Sequence, residues 1–389
     1  MFNIKTYNAI SPKGLERFAP GRYQVGPEIA APEAVLLRSH KLHGEAIPES
    51  LLAVARAGAG VNNIPVADYG KRGIVVFNTP GANANAVKEL VLAGMLLSAR
   101  GVLPGIEYAR SLGDMDAAAM HQLLEKEKSR FAGGELRGKT LGIVGLGAIG
   151  SMVADAALAL GMKVLGHDPA LSIEAAWRLS NAVQRIDSLP ALLARSDYVS
   201  LHVPALDVTR HLLNADMLAH LRPHAVLLNF ARETIVDPAA VLAALAADKL
   251  GRYVCDFPEP GFAAEPKIIA MPHIGASTEE SEENCAVMAA DELIDYLENG
   301  HIVNSVNYPA VRMDRTAGAT RITFANDNVA GVLGHVLSVL ADAKVNVIDM
   351  TNRSRDTLAY NIIDVATRPA DAVLQAIGAV EHVIRVRVV

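Results

Sequence analysis

The stretch Gly145-Leu146-Gly147-Ala148-Ile149-Gly150 constrains this chain more than any other, because its flanks make a common glycine pattern into a defined supersecondary unit. It follows the apolar run Thr140-Leu141-Gly142-Ile143-Val144 and opens a helical stretch from Ala148 to Leu160. A second run, Met162 to His167, then delivers Asp168. Strand, glycine turn, helix, strand and acid in this order form the βαβ unit that holds a dinucleotide. Gly145 permits the tight turn, Gly147 lets backbone N–H groups approach a pyrophosphate, and Gly150 lets the helix lie close on the strand. Ala148 and Ile149 sit at the helix N-terminus, where unpaired donors and partial positive charge meet the phosphates. Asp168 is placed to accept hydrogen bonds from the adenosine ribose hydroxyls. A carboxylate there repels a 2′-phosphate, and Pro169 and Ala170 supply no arginine to hold one, so NAD is expected rather than NADP.

With 389 residues the chain is long enough for two or three domains. A net charge of −6 argues against a nucleic-acid or anionic-membrane partner. The start, Met1 to Tyr7, reads as a strand, without the charged and apolar regions of a signal peptide. The apolar stretch Leu90 to Ala99 is too short to span a bilayer. Cys255 and Cys285, far apart and alone, make no disulfide framework, so a reducing cytoplasm is expected, and no metal.

The fold expected is α/β, with two doubly wound parallel-sheet domains and a small third domain. Residues 1–97 carry short apolar runs (Ala34–Leu37, Leu51–Ala57, Ile74–Phe77) between turns, then a helix from Ala84 to Ser98. From Thr140, strands are predicted at 140–144, 162–167, 198–202, 225–229, 251–255 and 267–271, alternating with helices as in a Rossmann domain over 98–278. A long amphipathic helix, Thr278 to Asn299, is expected to return to the first domain, making it discontinuous (1–97 with 279–309). After a linker, residues 318–389 read as βαββαβ, a ferredoxin-like unit.

Three loops at strand carboxyl ends carry polar groups, where open α/β sheets bind ligands. The first holds Asn229 to Glu233, with Arg232 suited to clamp a carboxylate through two parallel hydrogen bonds. The second runs from Val254 to Pro260, and the third, Met271 to Thr278, carries His273, a side chain able to exchange a proton near neutrality. Oxidising an alcohol to a ketone needs a hydride acceptor, a base and a substrate anchor. NAD, His273 and Arg232 supply them, and Glu259 is the candidate carboxylate to orient the histidine.

These residues resemble the D-isomer-specific 2-hydroxyacid dehydrogenases. The matching segments are Gly142–Gly150, His202-Val203-Pro204, Asn229–Arg232 and Pro272–Thr278, with Arg56–Ile64, Asn78–Asn83 and Tyr296–Pro309 from the first domain. Within that family, Leu37-Arg38-Ser39 and the tail look like the phosphoglycerate-oxidising branch and its ACT regulatory domain. The resemblance implies oxidation of 3-phosphoglycerate to 3-phosphohydroxypyruvate, the first step of serine synthesis. It places Arg232 on the substrate carboxylate, His273 as general acid/base and Glu259 as its partner. Backbone N–H groups of Gly60 and Val61 would meet the carboxylate and Arg38 with Ser39 the phosphate, Lys128 and Arg130 being further candidates. His202, Pro204, Ala231 and Gly275 would line the cofactor site, with Asp256 on the nicotinamide amide. The family usually has two more residues between this aspartate and glutamate. In the tail, Asn328 and Asn346 match the asparagines that bind an L-serine effector, whereas Asn326 stands where a histidine is usual. Homodimers or homotetramers are the family's habit, and the two-domain layout leads one to expect closure over the substrate about a hinge near Gly101 and Thr278. Two other readings stay open: a glyoxylate or hydroxypyruvate reductase, and a non-catalytic NAD-sensing protein like the corepressors of this fold.

Overall fold

The computed structural model describes residues 1–389, the side chain of Glu174 excepted. The chain divides into two compact units, Met1–Asn83 with Thr278–Val389, and Ala84–Ser277.

The first unit holds a parallel sheet of β1 (Phe2–Thr6), β2 (Tyr23–Gly26), β3 (Ala34–Leu37), β4 (Ala53–Arg56) and β5 (Val75–Asn78), in the order β2-β1-β3-β4-β5. β3 is buried throughout, as expected of an unbroken apolar run in a sheet covered on both faces. The helix Glu279–Asn299 covers one face, burying Ala289, Leu293, Tyr296 and Leu297 with Ile4, Leu36, Ala55 and Phe77. Its start is fixed by the Thr278 side chain, which accepts from the Ser281 N–H at 3.1 Å, beside acidic Glu279, Glu280 and Glu282. Gly300, at φ 71°, ends it in the left-handed conformation.

The second unit holds seven parallel strands: β6 (Thr140–Val144), β7 (Lys163–His167), β8 (Gln184–Arg185), β9 (Tyr198–Leu201), β10 (Ala225–Asn229), β11 (Leu250–Cys255) and β12 (Ile268–Ala270). Their order, β12-β11-β10-β9-β6-β7-β8, reverses between β6 and β9, which defines the switch point where ligands bind.

One expected boundary is corrected. The helix Ala84–Ala99 belongs to the second unit rather than the first, so the chain crosses at Asn83–Ala84 and Ser277–Thr278. The reason is packing: Val87, Val91 and Met95 join Leu141, Phe230 and Val254 in one core, and Gly94 lies against Val254 and Phe230. Gly101 lies within the second unit, whereas Thr278 stands at a crossing. No single helix among the described residues is long and apolar enough to cross a membrane.

The tail folds as βαββαβ. Strands β13 (Thr320–Asp327), β14 (Val347–Arg355), β15 (Leu358–Val365) and β16 (Val383–Val388) form an antiparallel sheet in the order β14-β15-β13-β16. Ile322, Phe324, Ile363 and Val365 face Val336, Leu340 and Ile377 of its two helices. On the other face, Ala325, Tyr360 and Ile362 share a core with Tyr296, Leu297 and Tyr308. The tail is therefore part of the first compact unit, where the sequence suggested a free-standing domain. Arginines reinforce the junction. Arg387 donates to the Leu297 carbonyl at 3.2 Å with its guanidinium 4.6 Å from the Tyr296 ring centroid, and Arg385 donates to the Leu51 and Glu49 carbonyls.

Arg321, on β13, is 0% exposed. It forms a two-pronged pair with Asp364 directly opposite on β15, at 2.7 and 2.9 Å, and donates to the carbonyls of Asp314 (3.0 Å) and Asn299 (3.1 Å). Burial works against the Asp364 charge, but Arg321 and the Thr316 N–H outweigh it and hold the carboxyl below its usual range. Removing one partner strands a buried charge. Asp364→Asn is expected to cost about 3 kcal/mol or more of stability, read as a lower urea midpoint, whereas Arg321→Met with Asp364→Leu recovers much of the loss.

Candidate active site

The glycine turn after β6 is built as tightly as its sequence suggests. Gly145 has φ 92°, and a side chain there would stand 2.5 Å from the His202 carbonyl oxygen. A Cβ on Gly150 would stand 2.0 Å from the Gly145 carbonyl oxygen, so only glycine lets the helix Ala148–Ala159 start this close to the strand. Gly147 differs: nothing lies within 4 Å of a Cβ placed there, so its backbone faces open space. At the end of β7, Asp168 accepts from the Leu146 N–H (2.8 Å) and the Ala170 N–H (2.9 Å). The carboxylate thereby ties the glycine turn to the strand beside it and keeps lone pairs for hydroxyl donors. His202, after β9, shares a hydrogen with Ser200 through Nε2 at 2.8 Å, while its Nδ1 is buried without a partner. Burial pushes its pKa down to about 3, so the ring is neutral at working pH. Pro204 is exposed beyond it and Ala231 is buried after β10. An open backbone at the helix N-terminus and a carboxylate at the end of the next strand fit an NAD molecule.

The ends of the adjacent strands β10, β11 and β12 carry the chemistry. Asn229, fully buried, accepts from the Ala231 N–H at 3.2 Å and donates to the Arg232 carbonyl at 2.9 Å, which bends the chain so that Arg232 emerges half-buried. The Arg232 guanidinium bonds the Ala231 carbonyl at 2.6 Å and has no carboxylate partner among the described residues. It is a cation available to an anion. His273 follows β12 with φ 58°, uncommon for a residue with a side chain, and its exposed ring stands edge-on to Phe257, centroids 5.0 Å apart.

What holds this strained turn is Asp256. Its carboxylate, 2% exposed, accepts from the Ile274 N–H at 2.8 Å and the Gly275 N–H at 2.7 Å. A Cβ on Gly275 would stand 2.8 Å from that oxygen. Asp256, expected on the nicotinamide amide, thus has a second role that the sequence did not show: both its oxygens position the His273 loop, each with a lone pair left over. Sequence reasoning missed this because it linked Asp256 outward to a ligand; the signal was an aspartate and a glycine at the ends of neighbouring strands. The expected Glu259–His273 pair is likewise not formed. The two-residue spacing after Asp256 puts buried Phe257 against the imidazole, and the half-buried Glu259 carboxylate makes no hydrogen bond or ion pair among the described residues. Cys255, at the end of β11, donates to the Phe257 carbonyl, and burial pushes its thiol up to about 11, so it is no nucleophile.

In the first unit, Arg38 follows β3 and pairs with Glu282 at 2.6 Å. The N–H groups of Ser39 and His40 donate to the Asn8 side chain at 3.0 and 2.8 Å. Gly60 turns its carbonyl to Arg56, and Val61 is half-buried. Lys128 and Arg130 are exposed and pair with Glu125 and Glu127 of their own helical segment, so nothing directs them to a ligand. In the tail, Asn328 bonds the Asp356 carbonyl at the β14–β15 hairpin, whereas Asn346 precedes β14 and meets Ala366 at the sheet's far end. The structure does not bring these two asparagines together within one chain.

A βαβ dinucleotide turn joined to an arginine, a histidine and a buried aspartate on neighbouring strand ends defines a nucleotide-dependent dehydrogenase. Residues 105–275 match the family described as D-isomer specific 2-hydroxyacid dehydrogenase, NAD binding domain. The chain is 35% identical over 356 residues to the D-3-phosphoglycerate dehydrogenase of Haemophilus influenzae, covering 88% of this chain and 82% of that one. It is 34% identical over 354 residues to the enzyme of the same name from Escherichia coli K12, covering 87% and 82%. The structure matches an NAD+-bound 3-phosphoglycerate dehydrogenase of Entamoeba histolytica with a TM-score of 0.60 at 25% identity, over 79% of this chain and 98% of that one. The chain belongs to the D-isomer-specific 2-hydroxyacid dehydrogenase family, and it is an NAD-dependent oxidoreductase.

Gly150→Ala is expected to weaken NAD binding at least tenfold and to lower the melting temperature, because the added carbon must push the helix off the strand; fluorescence titration and thermal unfolding check both.

Proposed function

We propose that this chain oxidises 3-phospho-D-glycerate to 3-phosphohydroxypyruvate with NAD, the first step of L-serine synthesis. The observation that carries the reading is its likeness, over more than four-fifths of both chains, to proteins named D-3-phosphoglycerate dehydrogenase. Bound NAD supplies the acceptor for the hydride. The uncommitted Arg232 guanidinium clamps the substrate carboxylate, and the imidazole of His273 takes the hydroxyl proton as the carbon is oxidised. Asp256 fixes the backbone that presents that ring. Glu259, whose carboxylate is also uncommitted, stabilises the imidazolium as the loop tightens around substrate, a change that structures without substrate commonly lack. Gly60 and Val61 are assigned to the carboxylate through their N–H groups, and Arg38 with Ser39 to the phosphate, which takes the place of Glu282 on the arginine.

The tail is read as an ACT-type regulatory module. Because Asn328 and Asn346 lie at opposite ends of its sheet, an L-serine molecule held by both draws on two copies of the chain. A homodimer or homotetramer is further supported by the helices Val102–Ser111 and Ala117–Glu127, which bury no residue and leave Leu103, Ile106 and the nearby Met115 exposed. A cytoplasmic setting is proposed, in keeping with two free, buried cysteines.

NAD reduction is expected with 3-phosphoglycerate and not with lactate or glycerate; turnover confined to the unphosphorylated acids overturns the reading. His273→Ala is expected to lower kcat by about 10²–10⁴ with NAD affinity unchanged, since it removes a proton carrier and no cofactor contact. Asp168→Ala is expected to narrow the preference for NAD over NADP, measured as the ratio of kcat/KM values.

A further inference from the structure

A cavity of about 610 Å³ lies in the first unit along the helix Glu279–Asn299, beside the loop that follows β5. Gly81 and Ala82 leave room above it, and Val287, Met288 and Val303 give it an apolar wall. Glu292 stands in this lining and is only 8% exposed. Its Oε1 accepts from the Asn304 side chain at 2.7 Å, while Oε2 is buried with no partner. A buried acid oxygen left unpaired is costly and calls for a reason.

The surroundings narrow what would satisfy it. Asp291 and Asp295 also line the cavity, and their counter-charges are already engaged: Arg17 bonds Asp291 at 2.6 Å, and His301 and Arg312 bond Asp295 at 2.9 and 3.1 Å. Glu292 alone lacks a cation. The carboxylates do not converge as a metal-binding group among the described residues. An apolar wall beside one unpaired acid suits an organic cation better than a bare ion.

We propose that this cavity binds a small primary ammonium carried on a short apolar stem, with the ammonium on the Glu292 carboxylate and the stem on Val287, Met288 and Val303. The ammonium donates to the carboxylate, whose other oxygen keeps its bond to Asn304. Burial, offset in part by Asn304 and reinforced by Asp291, pushes the empty carboxyl up to about 8. At neutral pH the free site therefore holds a proton on Glu292, and binding releases it: the acid and the ammonium become an ion pair plus one proton. Affinity should tighten with rising pH until the carboxyl is ionised without help.

The test is calorimetric titration of the full chain with n-butylammonium chloride at pH 6, 7 and 8. Binding is expected to tighten about tenfold per pH unit below 8 and to release close to one proton at pH 7. Glu292→Gln, which keeps the Asn304 bond, should weaken binding at least tenfold at pH 8 and abolish the pH slope, with NAD affinity unchanged as the check on folding. Val287→Trp, which fills the cavity from a half-buried position and leaves Glu292 in place, should abolish binding. L-Norleucine separates the two sources of such a group: tighter binding than butylammonium identifies an amino acid whose carboxylate reaches Arg312, and weaker binding a simple amine. Equal binding of n-butanol, no binding of butylammonium at pH 8, or an unchanged Glu292→Gln overturns the proposal.

Discussion

Parallel strands must be covered on both faces, and this constraint governs where chemistry can occur. In each parallel sheet the helices take the faces, so only the strand ends remain open to a ligand. Polar residues in the middle of such a sheet would be buried without partners. The second unit follows that rule closely: its glycine turn, Asp168, Arg232 and His273 all come just after strands β6, β7, β10 and β12. Precision comes from buried hydrogen bonds beneath them. Asn229 shapes the Arg232 turn and Asp256 the His273 turn, each with backbone groups as partners. Such bonds fix backbone direction in a way that loop sequence alone does not.

Local pattern made most of the fold legible. The apolar runs of the second unit coincide with strands to within one or two residues, and the tail's βαββαβ order was readable from alternation and turns. The three glycines at 145, 147 and 150 do different things in space, and their spacing alone conveyed this. What local pattern could not convey was the allegiance of segments to cores. The helix Ala84–Ala99 is apolar on much of its surface, so its sequence does not say which sheet claims it. Only contact with Phe230 and Val254, far along the chain, decides. The same holds for the tail, whose second sheet face reads as a mixture of tyrosine, threonine and arginine rather than as a core.

The site was legible in its residue types and less so in their pairings. Arg232 and His273 stand where the sequence placed them. Asp256 accepts from two N–H groups of a strained turn, and Phe257 stands beside the imidazole where Glu259 was expected. A pairing depends on which of several neighbours wins a short contact, and a difference of one or two loop residues is enough to change the winner.

Arg321 has a consequence for how this protein can be taken apart. Its guanidinium reaches a strand of the tail, the segment leading into it and the last turn of the long helix, all at once. A boundary that looks like a linker in sequence is therefore not a boundary in cooperativity. Cutting the chain before residue 318 would leave Tyr296 and Tyr308 bare and the helix end without its cation, so the tail and the parallel sheet of the first unit are expected to unfold together. A segment with its own regular pattern in the sequence is here not a separate unit of the folded molecule.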